Sequence, residues 1–374
     1  MRVLMTGGGT GGHVYPALAI AETIKMNDPD AEIAFVGTKK GIENRLVPNA
    51  GYKLYHVEIQ GIRRSLSPQN IKTAYLILTS PRKAKKIIDE FRPDVVIGTG
   101  GYVCWPLLRA AASAGIPCMV HESNAYPGLA VKQVQGIVDV ILTSFNETSE
   151  RLKAKDKIVN VGNPIRLRYE LANKQEARKK LNIPDSVELV ALSFGGSLGA
   201  TAINQAAFGI MEGFCSKHGD VMLLHATGER FYEEFSAEMK ERGFDGDRRI
   251  SVSPYLYDMP LYMAAADVVI CRSGAMTLAE LAMIGKPAIL IPSPNVTDDH
   301  QYKNAKVIAD KGGAVLVREG EGMNGEIKAA LEKLYSDSAL RDEMGMAMES
   351  FARPDAAKLI YGEIVDLISK KKKA

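Results

Sequence analysis

The chain has 374 residues, 47 of them basic and 44 acidic for a formal net charge of +3, with 46% hydrophobic and 24% charged side chains. That balance excludes an intrinsically disordered chain, and the length exceeds one ordinary core, so about two domains are expected. No run approaches the roughly 18 apolar residues of a spanning helix, and the first residues read as a strand and not as a secretory leader, which points to action in the cytoplasm.

In the first half, strands are expected at 2–5, 32–36, 95–97, 118–120, 140–142 and 158–161. The first, around Val3-Leu4-Met5, runs into Gly7-Gly8-Gly9-Thr10-Gly11-Gly12-His13 and then an amphipathic helical segment over 15–24. This reads as a buried strand, a tight turn and a helix N-terminus, where free N–H groups and the helix dipole favour anions. Between Ile59 and Ile88 stand seven basic residues, Arg63, Arg64, Lys72, Arg82, Lys83, Lys85 and Lys86, and no acid, around the apolar cluster Ala74-Tyr75-Leu76-Ile77-Leu78. An apolar wedge with a basic rim suits an anionic membrane surface; a solvated basic helix face with a core-facing apolar side is the plainer alternative. Nucleic acid is disfavoured as a partner, because no stacking motif or recognition module accompanies the charge.

A join is expected near Gly162-Asn163-Pro164, dividing the chain into domains 1–163 and 164–353. Strands then follow at 188–193, 221–225, 249–253, 268–271, 288–291 and 314–317. The first leads into Gly195-Gly196-Ser197-Leu198-Gly199 and a helical pattern over 202–214, repeating the opening of the first half. The fourth leads into Arg272-Ser273-Gly274 and the helical run Ala275 to Glu280. A last helical pattern over 356–368, within 354–374, is assigned back to the first domain. Strands alternating with helices predict an α/β fold with parallel sheets, two Rossmann-like domains holding a ligand across a cleft. The four cysteines, Cys104, Cys118, Cys215 and Cys271, are scattered through apolar runs without metal-ligand spacing, so neither a disulfide nor a metal site is expected.

Gly7, Gly9 and Gly12 satisfy GxGxxG, but a nicotinamide site should place an acid after the second strand, where Thr38-Lys39-Lys40 stands. A P-loop fails as well, since His13 follows Gly12 and no GK[ST] is present. His13 begins a helix, whose positive end should lower its pKa and keep the imidazole neutral near pH 7, suited to a general base; a surface histidine in a first turn is the bland alternative. Glu280, about a turn into its helix, can accept two hydrogen bonds from a ribose diol or merely stabilise its own helix. Gln301 can reach sugar hydroxyls or face solvent.

GGTGGH at 8–13, HESN at 121–124, GNPIR at 162–166, GGSLGA at 195–200 and RSGAMTLAE at 272–280 together resemble the MurG family, in order over almost the whole chain. Those enzymes are UDP-N-acetylglucosamine:lipid-linked muramyl-pentapeptide glucosaminyltransferases of bacterial cell-wall synthesis. The resemblance implies a GT-B fold, with the nucleotide in the C-terminal domain and the lipid-linked acceptor in the N-terminal one. It places Thr10, Gly11 and Gly12 along the cleft, with His13 as the base. Asn124 then helps hold the donor sugar, Arg166 and Ser197 the diphosphate region, and Gln301 sugar hydroxyls. Leu256 meets uracil mainly through its backbone, and Ala275, Met276, Thr277, Leu278, Ala279 and Glu280 carry phosphate and ribose. Ser123, Leu198 and His300 depart from the expected pattern, each standing where glutamine is common.

The implied reaction moves N-acetylglucosamine from UDP to the C4 hydroxyl of a muramyl sugar on a polyprenyl diphosphate, with inversion, at the cytoplasmic face of the membrane, to which the protein is peripheral. A base is then needed on the acceptor side and stabilisation of departing UDP on the other. Helix N-termini after Gly196 and Gly274, with Arg166, can take that second role without a metal, and no other cofactor is implied. Asp28-Pro29-Asp30 and Asp245-Gly246-Asp247 match a metal-binding DxD, but both precede strands and should lie at the edge remote from the ligand crevice.

Overall fold

The structure is a computed structural model that describes residues 1–60, 69–165, 173–196 and 198–373. Arg63 and Arg64, Arg166, Ser197 and the side chain of Lys72, singled out above, lie outside the described residues. The chain divides into two compact units, one of residues 1–165 with 353–374 and the other of residues 166–352.

In the first unit seven parallel strands take the order β3-β2-β1-β4-β5-β6-β7. They are β1 Arg2–Thr6, β2 Glu32–Gly37, β3 Lys53–His56, β4 Val95–Gly98, β5 Cys118–Glu122, β6 Val140–Thr143 and β7 Ile158–Asn160. Because side chains alternate across a strand, β1 sends Val3 and Met5 to one face and Leu4 to the other. Val3 and Met5 pack with Val14, Ile20 and Ile24 of the helix Gly11–Asn27 and with Ile360 and Ile364 of the helix Ala356–Lys373. Leu4 joins Ile88 of the helix Gln69–Phe91 and Leu107 of the helix Cys104–Ser113. Each such fully buried side chain contributes roughly 1.5–3 kcal/mol.

Two features differ from the sequence expectation. The helix Gly11–Asn27 is covered on the sheet side and again by the C-terminal helix, so Val14, Pro16, Ala17, Ile20, Ala21, Thr23 and Ile24 are all buried and little of an amphipathic pattern remains. β3 was not expected. It is four residues long at the sheet edge, with exposed ends and charged Lys53, and its short polar sequence carries no strand signal.

The second unit has six parallel strands in the order β10-β9-β8-β11-β12-β13. These are β8 Leu189–Phe194, β9 Val221–Ala226, β10 Ile250–Ser253, β11 Val268–Cys271, β12 Ala288–Leu290 and β13 Ala314–Leu316. Central β8 is buried throughout, as expected of a parallel strand covered on both faces. The helix Thr201–Ile210 packs on it through Ile203, Ala207 and Phe208 and continues into a π turn, Met211–Cys215, which buries Met211 and Phe214.

Both DxD strings sit before strands, and one aspartate of each is engaged within the protein. Asp28 accepts from the N-terminal ammonium at 2.8 Å, and Asp247 pairs with Arg249 at 2.6 Å.

Candidate active site

In an open parallel sheet, ligands gather beyond the C-terminal strand ends where the strand order reverses. In the first unit that point lies between β1 and β4, and a glycine turn leaves each strand there: 7–12 after β1 and Gly98-Thr99-Gly100-Gly101 after β4. Thr99 donates its hydroxyl to His13 O at 2.7 Å, tying the second turn to the helix that follows the first. A Cβ on Gly101 would stand 2.3 Å from Gly8 O, and one on Gly100 would stand 2.5 Å from His13 Cδ2, so only glycine admits this approach. Cys104 lies beneath, its Sγ 2.9 Å from Gly100 O and 3.2 Å from Thr6 O, and burial pushes its thiol up to about 12, leaving a proton to donate.

His13 stands in the first turn of the helix with Thr10 as its N-cap. Its Nδ1 lies 3.1 Å from Gly8 O and 3.2 Å from Thr10 Oγ1. A carbonyl can only accept, so Gly8 holds the proton on Nδ1 and leaves Nε2 as the basic nitrogen. The His13 pKa is lowered, chiefly by burial, against the Gly8 hydrogen bond and the charge of Glu43, which both raise it. Burial thus favours the neutral ring that the sequence leads one to expect. Glu43, buried below the turn, accepts from Gly9 N at 3.1 Å and from Thr38 N and Oγ1 at 2.8 and 2.9 Å. Sequence reading missed both Glu43 and the 98–101 turn. The glycine run ending β4 was a usable signal; nothing local marked Glu43.

At the end of β5 the HESN segment is braced inward. His121 Nε2 meets Gly162 O at 2.9 Å, and burial takes its pKa down to about 4. Glu122 accepts from Asn124 N and Nδ2, both at 3.0 Å, and from Gly128 N at 2.7 Å. Both are almost fully buried, which makes them supports of the loop and poor reserves for His13 as a base. Asn124 is partly buried, with its amide turned to Glu122.

In the second unit the order reverses between β8 and β11; Gly195-Gly196 follows the first of those strands and Arg272-Ser273-Gly274 the second. Gly199 has φ +71°, and a Cβ there would stand 2.1 Å from Thr227 O. Leu198 is exposed. The helix Ala275–Met283 starts after Gly274; Ala275 and Leu278 are buried, whereas Met276, Thr277, Ala279 and Glu280 are partly exposed. Glu280 lies close enough to Cys271 to help burial push that thiol up. Leu256 is buried in the loop after β10, between the partly or fully exposed Tyr255 and Tyr257. Gln301 is more constrained than the sequence implied, because its Oε1 accepts from Ser293 N at 2.9 Å and its carbonyl accepts from Ser273 Oγ at 2.8 Å. Only its NH2 group remains to donate to a ligand. Asp298 and Asp299, shortly before it, both hold left-handed backbone, φ 58° and 51°, which the short aspartate side chain tolerates.

Residues 3–143 match the glycosyltransferase family 28 N-terminal domain, and residues 190–360 match the glycosyltransferase family 28 C-terminal domain. A protein of Caldanaerobacter subterraneus subsp. tengcongensis named UDP-N-acetylglucosamine--N-acetylmuramyl-(pentapeptide) pyrophosphoryl-undecaprenol N-acetylglucosamine transferase is 41% identical over 361 residues, which are 96% of this chain and 98% of that one. The chain belongs to the MurG family. The crystal structure of Acinetobacter baumannii MurG matches it with a TM-score of 0.76 at 27% identity, covering 98% of this chain and 99% of that one. A putative UDP-N-acetylglucosamine 2-epimerase from Listeria monocytogenes matches at 0.68 and 14% identity, covering 99% and 97%, a likeness of fold alone. The MurG-type architecture of the chain is therefore GT-B, two Rossmann-like domains with parallel sheets.

The basic stretch of this MurG family member is rearranged by its helix. Within Gln69–Phe91, Leu76 is buried at 8% exposure, while Tyr75 and Leu78 stand out at 65% and 76%. Lys83 pairs with Glu58 at 2.6 Å and Lys85 with Asp89 at 2.8 Å, acids that flank the acid-free run. Arg82 and Lys86 are exposed and form no ion pair among the described residues. No described helix is long and apolar enough to cross a membrane.

Proposed function

We propose that this chain transfers N-acetylglucosamine from UDP-N-acetylglucosamine to the C4 hydroxyl of a muramyl-pentapeptide carried on a polyprenyl diphosphate, forming a β-1,4 linkage with inversion. Family membership supports the reaction class, and the observation that carries the mechanism is His13 at the strand-order reversal, with Nδ1 held by Gly8 O. The acceptor oxygen attacks the anomeric carbon, its proton passes to His13 Nε2, and the bond to the UDP oxygen breaks with the electron pair leaving on UDP. Thr10, Gly11 and Gly12 line the donor and acceptor cleft in this reaction, with Asn124 helping to hold the donor sugar.

The 166–352 unit binds the nucleotide. The helix N-terminus after Gly274 and Arg166 stabilise the departing diphosphate, Ser197 and the backbone of the second glycine turn help hold it, Glu280 takes the ribose diol, and Leu256 meets uracil through its backbone. Gln301 donates to sugar hydroxyls through Nε2. The reaction needs no metal in this reading, since both DxD strings lie before strands and are engaged by the N-terminal ammonium and Arg249. Tyr75 and Leu78, with Arg82 and Lys86, form the contact with an anionic membrane, on its cytoplasmic face.

The test is an assay with UDP-N-acetylglucosamine and a lipid-linked muramyl-pentapeptide, following UDP and glycosylated lipid together. Equal appearance of both is expected. UDP released without glycosylated lipid points instead to an epimerase or hydrolase.

A further inference from the structure

The glycine turn that holds His13 rests on a carboxylate that the reaction itself does not need. Glu43 begins the helix Glu43–Asn49 and is fully buried. Three glycines make room for it: a Cβ on Gly8 would stand 2.8 Å from Oε1, one on Gly37 2.6 Å from Cγ, and one on Gly41 1.9 Å from Oε2. Its hydrogen bonds come from Gly9 N, Thr38 N and Thr38 Oγ1, and no salt bridge to it occurs among the described residues. A buried carboxylate without a cation is costly to keep for packing alone. Here its donors include the backbone of the residue next to Gly8, whose carbonyl fixes the His13 tautomer.

We propose that Glu43 is a positioning residue for His13: it clamps the 7–9 turn so that Gly8 O holds the Nδ1 proton, and its charge keeps the partly buried imidazole basic enough to take a proton at Nε2. This rests on the reading of His13 as the base. Glu43 acts from the strand β2 side of the turn. The other titratable groups facing it are Tyr15 beside Gly11, Tyr102 beside Gly9 and Cys104 beneath Gly100, the last with its thiol pushed up to about 12. The Glu43 carboxylate raises the His13 pKa that burial lowers. Removing that charge while keeping the shape must therefore lower the His13 pKa and loosen its tautomer.

The experiment compares the full-length wild type with E43Q, H13A and the double variant, each checked for folding by thermal melting. Imidazole nitrogens of His13 are titrated by NMR in wild type and E43Q without substrate. Expected in E43Q are a lower His13 pKa, some proton shifted to Nε2, and a kcat lower by roughly 10- to 100-fold, a smaller loss than the roughly 10²–10⁴ that a positioned base supplies in full. KM for the UDP-sugar should hold, and the acid limb of kcat should move to lower pH. In the H13A background, E43Q should cost less than threefold further, because its effect passes through the missing ring. An unchanged His13 titration in folded E43Q overturns the proposal whatever the rates do, and so does a full additional loss on top of H13A. Near-normal turnover of H13A defeats the base reading instead, and the NMR arm still decides whether Glu43 governs the ring. Should E43Q not fold, E43D replaces it. That variant keeps the charge but withdraws it from Gly9 N, so unchanged kcat and unchanged tautomer in E43D overturn the clamp.

Discussion

Lowering the pH should weaken the first unit through His121, and by an amount the structure sets. The ring is fully buried, with Nε2 on Gly162 O, and burial brings its pKa to about 4 against the ordinary 6.5. Between those values the unfolded chain binds a proton that the folded one refuses, so stability falls as pH falls from 6.5 and levels off below about 4. At pH 4.5 the gap to 6.5 is two units, and each unit corresponds to 1.36 kcal/mol, so His121 alone costs about 2–3 kcal/mol relative to pH 7.5. The substitution His121→Gln keeps a donor toward Gly162 O but cannot titrate. It should cost about 1 kcal/mol at pH 7.5 and cancel the acid penalty at pH 4.5. Two units can unfold separately, so a local probe is needed. The single tryptophan, Trp105, packs against the core of the first unit and reports on it by fluorescence during urea denaturation. Titrations shared by both proteins cancel in the comparison. Equal losses for wild type and H121Q between pH 7.5 and 4.5 would show that His121 is not held neutral.

Four further outcomes are expected. His13→Ala should lower kcat by roughly 10²–10⁴-fold and leave UDP affinity by calorimetry unchanged; in wild type, activity should fall only as pH drops below 6.5, since the folded pKa is lowered, and near-normal turnover of the variant removes His13 from the chemistry. Glu280→Ala should weaken UDP and the UDP-sugar alike, by about tenfold or more in Kd, and unchanged affinity would reduce Glu280 to a helix-stabilising residue. Activity should survive EDTA; complete loss restored by Mg²⁺ would mean that a metal site has been overlooked. Tyr75→Ser with Leu78→Ser should weaken binding to anionic vesicles with little salt dependence, whereas Arg82→Glu with Lys86→Glu should weaken it most at low salt, and vesicle binding equal to wild type in both would move the contact elsewhere.

The sequence by itself determined the α/β class, twelve of the thirteen strands among the described residues and the location of the main glycine turns, because these depend on local signals. Continuous apolar runs mark parallel strands buried on both faces, and glycine followed by a helical pattern marks the turn beyond them. β3 escaped because an edge strand of four residues, Lys53, Leu54, Tyr55 and His56, needs neither a long run nor a strong propensity once β2 offers it a partner.

Tertiary structure alone decided the rest. A DxD, a basic stretch or a HESN is readable as a string, but its partners come from distant parts of the chain. Asp28 is taken by the N-terminus, Lys83 by Glu58 on the far side of the run, and His121 by Gly162 forty-one residues away. Helix phase likewise turned Leu76 inward and left Tyr75 and Leu78 outside, a choice fixed by which face of the helix the rest of the fold covers. The same holds at His13. Its position after the glycines was legible, whereas the tautomer is set by Gly8, the ring's bed by Gly100 and Gly101, and the turn's anchor by Glu43, groups that only the parallel order of β1, β2 and β4 brings together.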